Sequence, residues 1–321
     1  MPLIVSRRGS IFEPLSPLDY FFESPLKFIA CRVYLFLLSL CRPPRPSGPK
    51  RKPLRVVCVS DTHCHTRPLP DGDLLIHSGD LTNIGSVEHI QAQVDWLKTL
   101  PHTEKVVIAG NHDSYFDPAS RRTEDQDKSI NWGDIHYLER SSVNLTFSTH
   151  EGRTLKIYGA PQIPQCGGTN FAFQHPRHVD TWSDSVPMDT DILVTHAPPK
   201  YHLDLPEGLG CKFLLNEVWR VKPTLHVFGH VHAGHGQEIV SWDEGQQLYE
   251  RIAAKRSSGI LADMVDIRGW LDAWKIFFYG IRSLWRSRIN GDSTGMGLMV
   301  NAALVYRSTG KLGNPIEVVE L

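Results

Sequence analysis

From residue 54 onward, short apolar runs recur along the chain, most of them breaking off at a polar cluster. The runs at 54–60, 73–78, 105–109, 154–159, 191–195 and 224–228 are five to seven residues long and rich in Val and Ile. That length and β-branching predict buried strands. Between the second and third, Val87, Ile90, Val94 and Leu97 recur at steps of three and four, which predicts a helix over 86–100 stopped by Pro101. A second helix is predicted over 211–221, and strand-like runs at 298–306 and 316–319 close the chain. Strands alternating with helices argue for a layered α/β domain.

Two segments break the pattern. The first, 1–52, carries nine Lys or Arg against three Asp or Glu and contains an apolar run at 28–41 interrupted by Arg32. A bilayer-spanning helix needs about 20 apolar residues, so this run is too short to cross. It lies too far from the start, without a small-residue cleavage site, to read as a signal peptide. It reads either as an amphipathic helix packed on the protein or as one lying on a membrane with basic flanks. The proline-rich stretch 43–53 is expected to be a linker before a domain spanning 53–321. The second segment is 251–293, within which 260–285 reads as a helix or helix pair. There Trp270, Trp274 and Trp285 accompany Lys275, Arg282, Arg286 and Arg288. Packing on the domain and contact with lipid are both open for it.

Composition narrows the class. The chain has 321 residues, 41% hydrophobic and 21% charged, with a formal net charge of -1. These values suit a globular protein and give no basic field to attract nucleic acid. The six cysteines form no C-x-x-C pair, so neither a disulfide framework nor a zinc-thiolate site is expected. Reduced thiols fit an intracellular, cytoplasmic setting, with peripheral membrane contact through 1–52 and 251–293 as the added option.

The polar clusters carry the chemistry. In order they are Asp61-Thr62-His63, Gly79-Asp80, Gly110-Asn111-His112-Asp113, Thr195-His196 and Gly229-His230-Val231-His232. Each follows a predicted strand, and sites in layered α/β folds gather at strand ends. Asp61 and His63, two apart on extended chain, fall on one side. Asp80, after a glycine, is placed to bridge two metals with its two oxygens. One ion would then be held by Asp61, His63, Asp80 and His232, the other by Asp80, Asn111, His196 and His230. Mixed oxygen and imidazole donors suit Mn, Fe or Zn rather than Ca or Cu. Two ions together acidify a bridging water that would attack phosphorus in line. His112 is left to protonate the leaving alkoxide, and Asp113 is expected to orient or charge it.

The series resembles the calcineurin-like metallophosphoesterases. Ser60-Asp61-Thr62-His63, Val107-Ile108-Ala109-Gly110-Asn111-His112, Ile157-Tyr158-Gly159-Ala160-Pro161, Thr195-His196-Ala197-Pro198-Pro199 and Leu225-His226-Val227-Phe228-Gly229-His230 are similar to the metallophosphoesterase-domain-containing branch. The resemblance covers about 54–250 and 296–321. It implies a four-layer αββα double-sheet sandwich, Mn-type activation, and hydrolysis of a small phosphodiester, cyclic nucleotides included. Members of this branch that lack the first histidine of Gly-His-x-His are weak enzymes; His230 is present here.

The loop 162–187 is expected to overhang the site, with Phe171 and Phe173 available to stack a base and Arg177 to meet phosphate. Two other functions stay open. A protein Ser/Thr phosphatase is disfavoured because 81–85 and 113–119 contain no Arg. A membrane-docked binding protein of little activity would use the two added segments.

Overall fold

A computed structural model of the chain describes residues 13–43, 52–168, 170–257 and 259–321. Most of the proline-rich 43–53 stretch and residues 1–12 of the basic extension lie outside the described residues.

Two sheets face each other. Strands β1 (Arg55–Val59), β2 (Leu74–Ser78), β3 (Glu104–Ile108) and β4 (His136–Tyr137) run parallel in the first sheet. The second holds β5 (Ser141–Phe147) and β6 (Arg153–Ala160), a small β7–β8 pair (Ile163–Pro164, Gln174–His175) standing apart. It continues with β9 (Ile192–Thr195), β10 (Leu225–Phe228), β11 (Gly236–Ser241) and β12 (Met296–Asn301). Its order is β11-β12-β10-β9-β6-β5, with β5 and β11 as antiparallel edges. The last strand, β13 (Glu317–Glu320), returns to pair antiparallel with β1.

Alternation along the strands divides the core. Val56, Cys58, Leu74, Ile76 and Val106 point between the sheets and meet Ile157, Ile192, Val194, Val227 and Val300. The opposite sides of the same strands are covered by helices. Val57, Leu75 and Val107 meet Ile90, Val94 and Leu97 of a helix at Val87–Lys98, whose N-cap Ser86 accepts from His89 N. Leu193, Phe228 and Met299 meet Leu214 and Val218 of a helix at Lys212–Val221. This is the four-layer αββα sandwich.

The added segments join one another. Numbering helices in chain order, α1 is Pro17–Glu23, α2 Pro25–Ser39, α3 Val87–Lys98, α4 Lys212–Val221, α5 Glu244–Ala254, α6 Ile260–Val265 and α7 Ile267–Arg288. The helix pair read over 260–285 is α6 and α7, and α5 precedes it from Glu244. The pair breaks at Asp266, whose carboxylate caps α7 by accepting from Gly269 N. On α2, Tyr34 and Leu38 are fully buried against α5 and α7, and buried Leu26 lies against Gly269 of α7. Each such leucine contributes roughly 1.5–3 kcal/mol. Strands β5 and β11 and helix α5 were not legible. Both strands are sheet edges with exposed polar positions, so neither gives a continuous apolar run.

Candidate metal and catalytic site

Every polar cluster sits where a parallel strand of one sheet or the other runs out. β1 delivers Asp61 and His63, β2 Asp80, β3 Asn111 and His112, β9 His196, and β10 His230 and His232. Facing sheets bring the two groups together: His230 N donates to Asp61 Oδ2 across 3.0 Å. The chain turns abruptly at these points, with Asp61, His63, Asp80 and His230 at φ of 54°, 47°, 53° and 65°. Left-handed backbone at a non-glycine residue costs about 1–3 kcal/mol and persists only where neighbours impose it. Here Asp61 N is held by Gly79 O and His63 N by Asp80 O. A side chain on Gly229 would strike Asp61 and Ser60, which explains glycine there.

The donor atoms form three overlapping groups: Asp61, His63 and His232; His63, Asp80 and His112; and Asp80, His196 and His230; within each the donor atoms lie within 4.8 Å of one another. Asp80 Oδ2 lies 3.8 Å from His63 Nε2 and 3.4 Å from His196 Nε2, so it stands between them. Its other oxygen accepts from His112 N at 2.8 Å. Asp80 thus faces both histidines through Oδ2 while Oδ1 also holds the β3 loop. Asn111 Oδ1 lies 3.0 Å from His196 Nε2, inside the third group.

These residues fit bound divalent metal. Both ring nitrogens of His63 are buried without a hydrogen-bond partner, and a bound cation would relieve that cost at one of them. His196 Nδ1 donates to Ser78 O and His232 Nδ1 to Arg307 O, each at 2.9 Å. Those carbonyls turn the Nε2 atoms inward and fix their tautomer. Burial works against charge on Asp61 and Asp80, yet the imidazoles around them hold both carboxyls below the usual range. Burial together with His196 pushes His230 down to about 3, which keeps it neutral and able to ligate.

His112 lies half-buried at the wall of an adjoining cavity of about 490 Å³. One of its ring nitrogens reaches the same space as His63 and Asp80. Asp113 does not orient it. The buried Asp113 carboxylate accepts from Leu81 N, Thr82 N, Thr82 Oγ1 and Gly110 N. It ties the β2 loop to the β3 loop, and the expected role on the imidazole is corrected accordingly. Asn83 O takes that place, accepting from His112 Nδ1 at 2.8 Å.

The cavity wall sorts the loop residues. Phe171 lines it and packs on the His112 ring with centroids 4.8 Å apart. Phe173 turns away into the layer beneath β1–β3. Arg177 also lines the cavity, but its guanidinium donates to Gln165 O and Leu209 O, stapling the wall. Arg307, exposed on the same wall, was missed. It lies after β12, far along the chain from any motif, and no pattern marked it. Asn83 was missed for a similar reason: its working atom is a backbone carbonyl, which residue type does not reveal.

A family model for calcineurin-like phosphoesterases matches residues 54–234. Human metallophosphoesterase domain-containing protein 1 is 39% identical over 218 residues, which cover 60% of this chain and 64% of that one. A UPF0046 protein of Caenorhabditis elegans is 39% identical over 198 residues, 57% of this chain and 70% of that one. A probable rhamnogalacturonate lyase C of Emericella nidulans is 42% identical over 259 residues, 78% of this chain and 23% of that protein. The chain thus spans less than a quarter of the last and about two thirds of the human relative. The matched span contains every strand-end cluster that builds the overlapping donor groups, and on that ground the chain belongs to the calcineurin-like phosphoesterase family.

Proposed function

We propose that this protein hydrolyses a small phosphodiester, a cyclic nucleotide among the candidates, with two divalent ions of which Mn is favoured. The observation that carries the reading is the set of overlapping donor groups around Asp80 Oδ2. When bound there, two such ions neutralise phosphoryl oxygens and acidify water. The chain's own groups supply the rest. His112, with Nδ1 tied to Asn83 O, presents Nε2 to the cavity and donates its proton to the leaving oxygen. Phe171 offers an apolar plate for a base, and Arg307 an exposed cation for the phosphate or its ester group. A cavity of about 490 Å³ is of the size that holds one nucleotide. A phosphoprotein substrate has less support, since residues 81–85 and 113–119, next after Asp80 and His112, carry no arginine.

The test is turnover of bis(p-nitrophenyl) phosphate and of a cyclic-nucleotide, mononucleotide and phosphoprotein panel, with Mn, Fe or Zn added after chelation. Diester cleavage that needs added metal and is lost in Asp80→Ala is the expected result. Cleavage that survives both chelation and Asp80→Ala overturns the reading.

A further inference from the structure

Helices α2 and α7 run side by side in the same direction. Gly269 lies against Leu26 and Gly280 against Leu37. At the far end Arg288 Nε donates to Leu40 O and Arg42 N to Ser287 Oγ. Glycine permits the approach, since a Cβ on Gly280 would lie 2.7 Å from Leu37 Cδ1. The inner faces of both helices are buried on α5 through Tyr34, Leu38 and Ile276. A helix packed this way ordinarily turns a polar face outward.

Here the outer faces are apolar as well. Ile29, Val33 and Phe36 are exposed on α2 with Leu40 at its C-cap, and Leu271, Trp274, Phe278, Ile281 and Trp285 on α7. Phe36, Trp274, Phe278 and Trp285 are 62%, 60%, 61% and 55% exposed. Steps of three and four residues place each set on a single stripe. Charge accompanies the stripe with one sign. Arg268, Lys275 and Arg282 are exposed and recur every seven residues, forming a row beside the aromatic one. The only acid of α7, Asp272, is half-buried beside Lys275 and Arg251, and α2 contains none. Among the described residues no helix is long and apolar enough to cross a membrane.

We propose that the α2–α7 face docks the protein onto an anionic lipid bilayer. In this arrangement α7 lies in the interfacial plane. Trp274, Phe278 and Trp285 enter the acyl boundary, and Arg268, Lys275 and Arg282 meet lipid phosphates. A second copy of the chain would bring the same cations and no matching acids, so charge favours lipid over self-pairing. The inference does not depend on the catalytic reading.

The experiment is sedimentation of the full chain with phosphatidylcholine vesicles, with and without about one third phosphatidylserine. The parent should pellet with the serine-containing vesicles and release with salt. Combining Trp274→Ser, Phe278→Ser and Trp285→Ser should weaken that binding by about tenfold or more. Combining Arg268→Glu, Lys275→Glu and Arg282→Glu should do the same and remove the salt dependence. These positions are exposed, so melting temperatures should hold. Should a variant fail to fold, the parent's tryptophan emission on vesicle addition decides: a blue shift supports docking and no shift overturns it. Equal pelleting of folded parent and variants overturns it too, as does a dimer that the Trp274 set disrupts in a chain that ignores vesicles.

Discussion

His112 Nδ1 lies 2.8 Å from the carbonyl oxygen of Asn83, while Asn83 Nδ2 donates to His63 O across 3.0 Å. One residue of the β2 loop therefore positions both the imidazole that faces the cavity and the backbone of one that faces the donor groups. Because a carbonyl can only accept, the Nδ1 proton is fixed, and Nε2 is the nitrogen free to exchange a proton.

That relationship makes the leaving group the discriminating variable. His112→Gln should slow release of an alkyl alcohol by about a hundredfold to ten-thousandfold. Release of p-nitrophenolate, which leaves without a proton, should slow by about tenfold at most. The comparison is kcat on an alkyl and a p-nitrophenyl diester. Equal losses on both would remove His112 as the proton donor.

Asp113 serves stability before chemistry. Its carboxylate accepts four hydrogen bonds in a site without solvent. Asp113→Ala strands those donors and should lower unfolding free energy by about 3 kcal/mol or more, with Asp113→Asn milder. Urea titration measures it. A variant of unchanged stability whose pH–rate profile shifts would instead return Asp113 to an orienting role.

The donor groups should bind metal in the folded state alone. Mn added to chelated protein at about a hundred times its Kd should stabilise by about 2.7 kcal/mol, seen as a rise of a few degrees in melting temperature. Asp80→Asn and His196→Ala should abolish the rise. A rise of equal size in both variants would place the ion elsewhere.

Outside the site, His202 is buried between two carboxylates, with Nδ1 2.7 Å from Glu238 Oε1 and Nε2 3.2 Å from Glu250 Oε1. Burial opposes its charge, but Glu238 and Glu250 outweigh that and raise the imidazole from 6.5 to about 10. A raised folded pKa stabilises fully below the unfolded value. The stabilisation is therefore present below pH 6.5 and lost as pH climbs through about 10. His202→Gln should cost about 3 kcal/mol at neutral pH and flatten the decline on the alkaline side. Melts from pH 6 upward check it, and parallel curves for parent and variant would refute the ion triad.

The Asp, Asn and His donors were legible because strand ends and metal ligands both leave short-range marks: an apolar run, then a fixed set of residue types. Asn83 and Arg307 left none. The first acts through its backbone, and the second joins the site by a return of the chain after β12. Edge strands β5 and β11 hid for a different reason, since half-exposed strands do not produce the apolar runs that betray central ones. The Arg177 side chain shows the limit from the other side. Its charge suggested a phosphate contact, whereas its position commits it to two carbonyls.

By itself the sequence determined which side chains make up the donor set and which layers bury the core, because ligand chemistry and hydrophobic periodicity are written locally. The tertiary structure alone decided how the set is used. It set Asp80 Oδ2 between His63 and His196 while Oδ1 holds the β3 loop, assigned Asn83 rather than Asp113 to His112, and sent Phe171 to the cavity wall but Phe173 into the layer beneath β1–β3. It also laid α2 along α7, two segments more than 200 residues apart, so that two apolar stripes face outward from one pair of helices. Orientation and partner choice depend on groups distant along the chain, and only folding brings them within hydrogen-bonding reach.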